Sequence, residues 1–152
     1  MTDLNFEDII GRYFNLNLKK DNYRIYVEEA GQGTPLLCLH TAGSDGRQFR
    51  HILNDKRITN NYRVIVFDLP WHGKSNPPEG YELKDYKLTT NLYKEIIMSF
   101  CKQYKLIDPV IMGCSMGGRV VLHLALEHCD YFKAVIALEG SDKLEPYYDL
   151  DW

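Results

Sequence analysis

Four short stretches, "PLLCLH" (Pro35 to His40), "YRVIVFDL" (Tyr62 to Leu69), "PVIMG" (Pro109 to Gly113) and "FKAVIALEG" (Phe132 to Gly140), are almost continuously apolar. A strand with one wet face alternates in polarity, whereas one buried on both faces does not, and the latter pattern belongs to parallel sheets covered by helices. The segments between them carry apolar residues at helical steps: Phe49, Ile52 and Leu53; then Leu88, Leu92, Ile96, Ile97, Phe100 and Tyr104; then Val120, Val121, Leu124 and Leu126. Helices alternating with buried strands predict βαβ units of right-handed crossover. Ahead of them, "YFNLNLKK" (Tyr13 to Lys20) and "YRIYVEEAG" (Tyr23 to Gly31) alternate around Asp21-Asn22, which predicts a half-exposed hairpin. The expected fold is α/β: one domain over residues 1–152, with a mostly parallel twisted sheet of about six strands, an N-terminal antiparallel hairpin and helices on both faces. The loop "NPPEGYEL" (Asn76 to Leu83) is expected at the surface without regular structure, because Pro77, Pro78 and Gly80 interrupt it.

Composition narrows the function. A chain of 152 residues can bury about 70% of its unfolded surface around one core. Its 18 basic and 21 acidic residues give a net charge of -3 with no long run of either sign, which argues against a nucleic-acid or membrane surface and for a small-molecule partner. Cys38, Cys101, Cys114 and Cys129 lie in apolar segments without paired spacing, so buried thiols in a reducing compartment are expected rather than disulfides or zinc. The N-terminus "MTDLNFEDII" has no secretory pattern, and no apolar run approaches the roughly 20 residues of a membrane span. The expectation is a cytoplasmic protein with no metal and no organic cofactor.

In "VIMGCSMGGRV", Ser115 falls where a buried strand gives way to a helix, at the sheet edge where open α/β proteins bind ligands. Gly113 and Gly117 flank it at minus two and plus two, the spacing required when a strained turn lifts a serine while its backbone passes close to its neighbours. Such a turn places the Met116 N–H at the helix start, where a free donor and the helix dipole can stabilise an oxyanion. A phosphate-binding P-loop fails here because Arg119 follows Gly118, and a dinucleotide fingerprint fails because "GCSMGG" lacks its second glycine. A tight turn without chemistry is the remaining alternative.

Two further loops bear on that alternative. In "LCLHTAGSDGRQF" a buried strand ends at His40 and opens into small residues, Thr41 to Gly46, able to supply a second backbone donor. In "FDLPWHGKS" a strand ends at Asp68 and turns through His72, Gly73 and Ser75. This order of histidine-containing small-residue loop, Asp-x-x-x-His-Gly-x-Ser turn and Gly-x-Ser-x-Gly elbow resembles the α/β-hydrolase fold family over roughly Tyr13 to Gly140. The resemblance implies that Ser115 is the nucleophile, that Met116 and Ala42 supply the oxyanion-hole N–H groups with Thr41 as fallback, and that His40, Asp68, His72 and Gly73 shape loops. Thr41 and Trp71 stand where the family usually has glycine.

A serine hydroxyl needs a histidine to take its proton and a carboxylate to orient that histidine. The family order is serine, acid, histidine, which leaves only His123 and His128 downstream. Both fall in the helix after the elbow, His123 about 12 Å along its axis, and neither is a credible base. His51 is expected on an exposed helix. For the acid, Glu139 ends the apolar run at the same edge as Ser115, as the acid does in family members such as haloalkane dehalogenases; Asp142 is a weaker alternative. The family carries further strands and usually a cap after the sixth, so the chain is expected to be a truncated core in which 141–152 begin a cap or C-terminal part. "FKAVIALEG" would then be an open apolar edge that recruits a second copy or second chain. The implied activity is esterase-like hydrolysis of a small acyl substrate through an acyl-enzyme, needing the C-terminal half. The alternatives are a catalytically silent binding module and one chain of a two-chain enzyme. Carboxylesterases, lactonases, carbon–carbon bond hydrolases and cofactor-free peroxidases share this scaffold; dehalogenases and epoxide hydrolases place aspartate at the elbow.

Overall fold

The computed structural model describes residues 6–19, 21–83 and 87–141. Strands β1 (Ile10–Leu18) and β2 (Asp21–Ala30) form the antiparallel hairpin, with Leu18 paired to Asp21. The strands are thus joined between Leu18 and Asp21 rather than through Asp21-Asn22, and Lys19 takes a positive φ of 55°. Register prevailed over turn chemistry here: this pairing sends Leu16, Tyr23, Ile25 and Val27 into the core.

Four more strands complete the sheet: β3 (Thr34–Leu39), β4 (Tyr62–Phe67), β5 (Val110–Cys114) and β6 (Ala134–Leu138). They stand in the order β1-β2-β4-β3-β5-β6, with β4, β3, β5 and β6 mutually parallel and β2 antiparallel to β4. The fold is the expected α/β sheet with an antiparallel N-terminal pair.

Both faces of the central strands are covered, which explains their unbroken apolar runs. On one face Leu37, Leu39, Ile65, Phe67 and Ile111 pack with helices α3 (Thr90–Gln103) and α4 (Met116–Glu127) through Ile96, Ile97, Phe100, Val120, Val121 and Leu124. On the other face, Leu36, Cys38, Val64, Val66, Val110 and Met112 meet Phe49 and Leu53. These two belong to the 3₁₀ turn Gly46–Phe49 and to α1 (Arg50–Asn54), which the short α2 (Lys56–Thr59) follows. Helix α3 begins where the Thr89 hydroxyl accepts the Leu92 N–H at 3.2 Å, and it buries Tyr93, Ile96, Ile97, Phe100 and Cys101 at helical spacing. Each of its large apolar side chains contributes roughly 1.5–3 kcal/mol by leaving water.

Four expectations are corrected. β6 is not buried on both faces: it is the edge of the described sheet, with Ala134, Ile136 and Leu138 exposed, because among the described residues only β5 pairs with it. Leu126 is exposed rather than part of the packed face of α4, since that face runs through Val120, Val121 and Leu124. Cys129 is also exposed, while Cys38 and Cys101 are buried and Cys114 is half-buried. The proline-rich loop lies at the surface with only Pro78 buried, but it is not wholly irregular, since Tyr81–Leu83 form a 3₁₀ turn. The expected cap start at 141–152 lies, after Ser141, outside the described residues, as does Asp142. Among the described residues no helix is long and apolar enough to cross a membrane.

Candidate active site

Three loops meet at the carboxyl ends of β3, β4 and β5, and the sharpest bend is at Ser115. Its backbone sits at φ 53° and ψ -111°, a conformation L residues rarely adopt, and its side chain is exposed. The chain turns from β5 straight into α4, with the Ser115 N–H donating to the Leu138 carbonyl at 2.8 Å and the Ser115 carbonyl accepting from Arg119 at 2.8 Å. Among the described residues no side chain hydrogen-bonds the Ser115 hydroxyl.

The flanking glycines make the bend sterically feasible. A Cβ on Gly113 would lie 2.2 Å from the Gly117 carbonyl oxygen, and one on Gly117 would lie 2.5 Å from that of Leu39. Sequence reasoning missed a third such contact: Gly118 would meet the Leu138 carbonyl at 2.5 Å, with the backbone of Gly140 at 3.0 Å. The doubled glycine in "MGGR" and the "EG" after β6 were the available signals.

Helix α4 starts at Met116 without a capping side chain, so the amides of its first turn point toward the edge unpaired by the helix. In the loop after β3, the Thr41 N–H donates to Gln48 Oε1 at 2.9 Å, so this fallback donor is engaged within its own loop. No acceptor among the described residues takes the Ala42 N–H.

His40 is fully buried, with Nδ1 2.8 Å from the Thr41 carbonyl and Nε2 accepting the Leu69 N–H at 3.1 Å. Both ring nitrogens are thus engaged, and burial pushes its pKa below the ordinary histidine value. Its ring lies 5.0 Å from that of His72, whose Nδ1 is 3.0 Å from the Pro70 carbonyl.

Asp68 is a bracket. One carboxylate oxygen accepts the Gly46 N–H at 2.7 Å, the other the Lys74 N–H at 2.8 Å, and its carbonyl accepts the Ser75 hydroxyl at 2.6 Å. A Cβ on Gly73 would lie 2.2 Å from this carboxylate, hence a glycine there. Asp45 caps the 3₁₀ turn and grips Arg47, which lowers its pKa to about 2. Trp71 shows why glycine often precedes the His-Gly pair: its φ is 71°, and the half-exposed indole meets Tyr81 edge-on at 5.1 Å.

Glu139 follows β6 at the same edge as Ser115, in register with it because Cys114 pairs with Leu138. It is exposed and holds a φ of 52°, a second strained non-glycine residue beside the first. His51 is exposed on α1, His123 sits inside α4, and His128 ends it. No group of three or more metal-ligating side chains occurs among the described residues.

A family model described as alpha/beta hydrolase fold matches residues 34–151. The chain is 27% identical over 119 residues to the pimeloyl-[acyl-carrier protein] methyl ester esterase of Vibrio vulnificus, a match covering 78% of this chain and 42% of that protein. It is 33% identical over 95 residues to the magnesium-chelatase 30 kDa subunit of Rhodobacter capsulatus, covering 62% of this chain and 31% of that protein. Among solved structures, a candidate aryl esterase from Burkholderia cenocepacia superposes with a TM-score of 0.73 at 23% identity, over 90% of this chain and 49% of that one. The chain thus spans less than half the length of these relatives.

Proposed function

The chain belongs to the α/β hydrolase fold family, and from that premise we propose that it carries the nucleophile half of an esterase-like serine hydrolase. The carrying observation is the strained, exposed Ser115 at the head of an uncapped helix, together with a Met116 amide and, on the loop after β3, an Ala42 amide that no acceptor among the described residues takes. In this reading Ser115 Oγ attacks the carbonyl carbon of a small ester and gives its proton to a base. The two amides hold the resulting oxyanion; the carbon–oxygen bond to the leaving alcohol breaks as the alcohol takes that proton. Water then hydrolyses the acyl-enzyme by the same path. The esterases among its relatives support an ester as the substrate class. Glu139, at the rim beside Ser115, is proposed to orient the base.

None of the chain's five histidines is hydrogen-bonded to Ser115. We therefore place the base on polypeptide beyond these 152 residues, either further along the same chain or on a second one. The same observation favours, as a second reading, a silent hydrolase-like binding module. The open edge of β6 is the surface proposed to receive another strand, and the four free thiols suit a reducing, cytoplasmic setting.

The test supplies the missing base chemically. With imidazole added, a fluorophosphonate is expected to label Ser115 at least about tenfold faster than without it, judged by peptide mapping, with no labelling of Ser115→Ala. No labelling under any imidazole concentration would reject the enzyme and leave the silent module.

A further inference from the structure

The peptide joining Thr41 to Ala42 is held unusually firmly. The Thr41 carbonyl accepts from His40 Nδ1 at 2.8 Å and from the Ser44 N–H at 3.3 Å, while the Thr41 N–H is occupied by Gln48. The tautomer of His40 follows from its other contact. Leu69 N–H can only donate, so Nε2, 3.1 Å away, must carry a lone pair, and the ring proton sits on Nδ1. A planar trans peptide points its carbonyl oxygen and the following N–H in opposite directions. Pinning the Thr41 oxygen toward the His40 ring therefore fixes the Ala42 N–H pointing away from that ring.

We propose that His40 is a positioning residue: as the neutral Nδ1–H tautomer imposed by the Leu69 amide, it aims the Ala42 N–H through the Thr41 carbonyl. The aim of the amide stands on geometry alone, whereas its catalytic meaning rests on the reading of Ala42 as an oxyanion donor. The arrangement couples two loops, because the group enforcing the tautomer follows β4 and the group being aimed follows β3. The His72 ring lies 5.0 Å from that of His40, tilted by 50°.

Two amide side chains separate aiming from mere packing. Asparagine can return a donor near the Nδ1 position but no acceptor for Leu69; glutamine can return an acceptor near Nε2 but no donor for Thr41. In His40→Asn the residual dipolar coupling of the Ala42 N–H should match the wild type, and in His40→Gln it should change. If the protein turns over an ester, with imidazole where needed, kcat should fall about tenfold or more in His40→Gln at similar KM and recover in His40→Asn. An unchanged Ala42 coupling in His40→Gln would overturn the proposal. Should neither variant fold, long-range proton–nitrogen correlation on the wild-type ring decides it: an Nε2–H tautomer or a cationic ring near neutral pH overturns it, and an Nδ1–H ring with a slowly exchanging Leu69 amide upholds it. The expected couplings without any Ser115-dependent turnover would reject the esterase and leave the positioning role standing.

Discussion

The amide of Ser115 donates to the carbonyl of Leu138 at 2.8 Å, so the strained residue is tied to the edge strand beside it. This bond lets the elbow persist in a conformation that costs about 1–3 kcal/mol for a residue bearing a Cβ. The hydroxyl itself contributes no hydrogen bond among the described residues. Ser115→Gly is therefore expected to be more stable than Ser115→Ala by about 1 kcal/mol, even though glycine loses more backbone entropy on folding. Urea denaturation of the pair checks it; equal midpoints, or alanine ahead, would mean the backbone is relaxed.

Gly118 is the second place where the elbow leans on β6. An added methyl would sit 2.5 Å from the Leu138 oxygen, so Gly118→Ala should destabilise by about 2 kcal/mol and push β6 away. Gly43→Ala is the control. That site is open and has only a left-handed φ of 67° to oppose a side chain, so the cost should be about 1 kcal/mol. A Gly118→Ala protein as stable as the wild type would show that the approach of α4 to β6 is looser than described.

His40 predicts an acid sensitivity whose sign is fixed. Burial lowers its pKa from the ordinary 6.5 and the His72 ring adds to this, while the Thr41 carbonyl, Asp68 and Asp45 pull the other way. The folded state binds this proton less readily than the unfolded chain, so the stabilisation is complete above the ordinary value of 6.5 and is lost as pH falls below it toward the folded value. Protonation would also turn Nε2 into a donor facing the Leu69 N–H. Stability of the wild type between about pH 7.5 and about pH 5 should fall more steeply than that of His40→Asn, by at most about 1.4 kcal/mol per pH unit. Parallel profiles would assign the acid sensitivity to other groups.

The edge strand predicts association. Ile136 is 40% exposed on β6, whose outer backbone groups face no partner strand among the described residues. The chain should self-associate at micromolar concentration, and Ile136→Lys should shift it toward monomer, since a charge on an edge strand opposes pairing. Sedimentation velocity showing the wild type as a compact monomer throughout that range would refute this.

Strand identity was legible because two-sided burial leaves an unbroken apolar run, visible at Leu36 to Leu39 and Val64 to Phe67. The same signal misled at Ala134 to Leu138, where composition promises burial but position in the sheet order denies it. Order across a sheet is set by crossovers between distant segments, which no local window contains. The hairpin departs from the Asp21-Asn22 turn signal because cross-strand packing, which sets Leu18 opposite Asp21, chooses the register. The sharp bend at Ser115 and the close approaches at Gly113 and Gly117 could be read from spacing alone. The engagement of Thr41 by Gln48 and the grip of His40 on Leu69 depend on side-chain directions across loops, which spacing does not encode.

Asp68 gathers one amide from the loop after β3 and another from the loop after β4. The two loops are thereby tied to one another directly, although α1 and α2 lie between them in the chain. Losing the Asp68 carboxylate should therefore strand two amides at once and let the loops drift apart above an otherwise unchanged sheet.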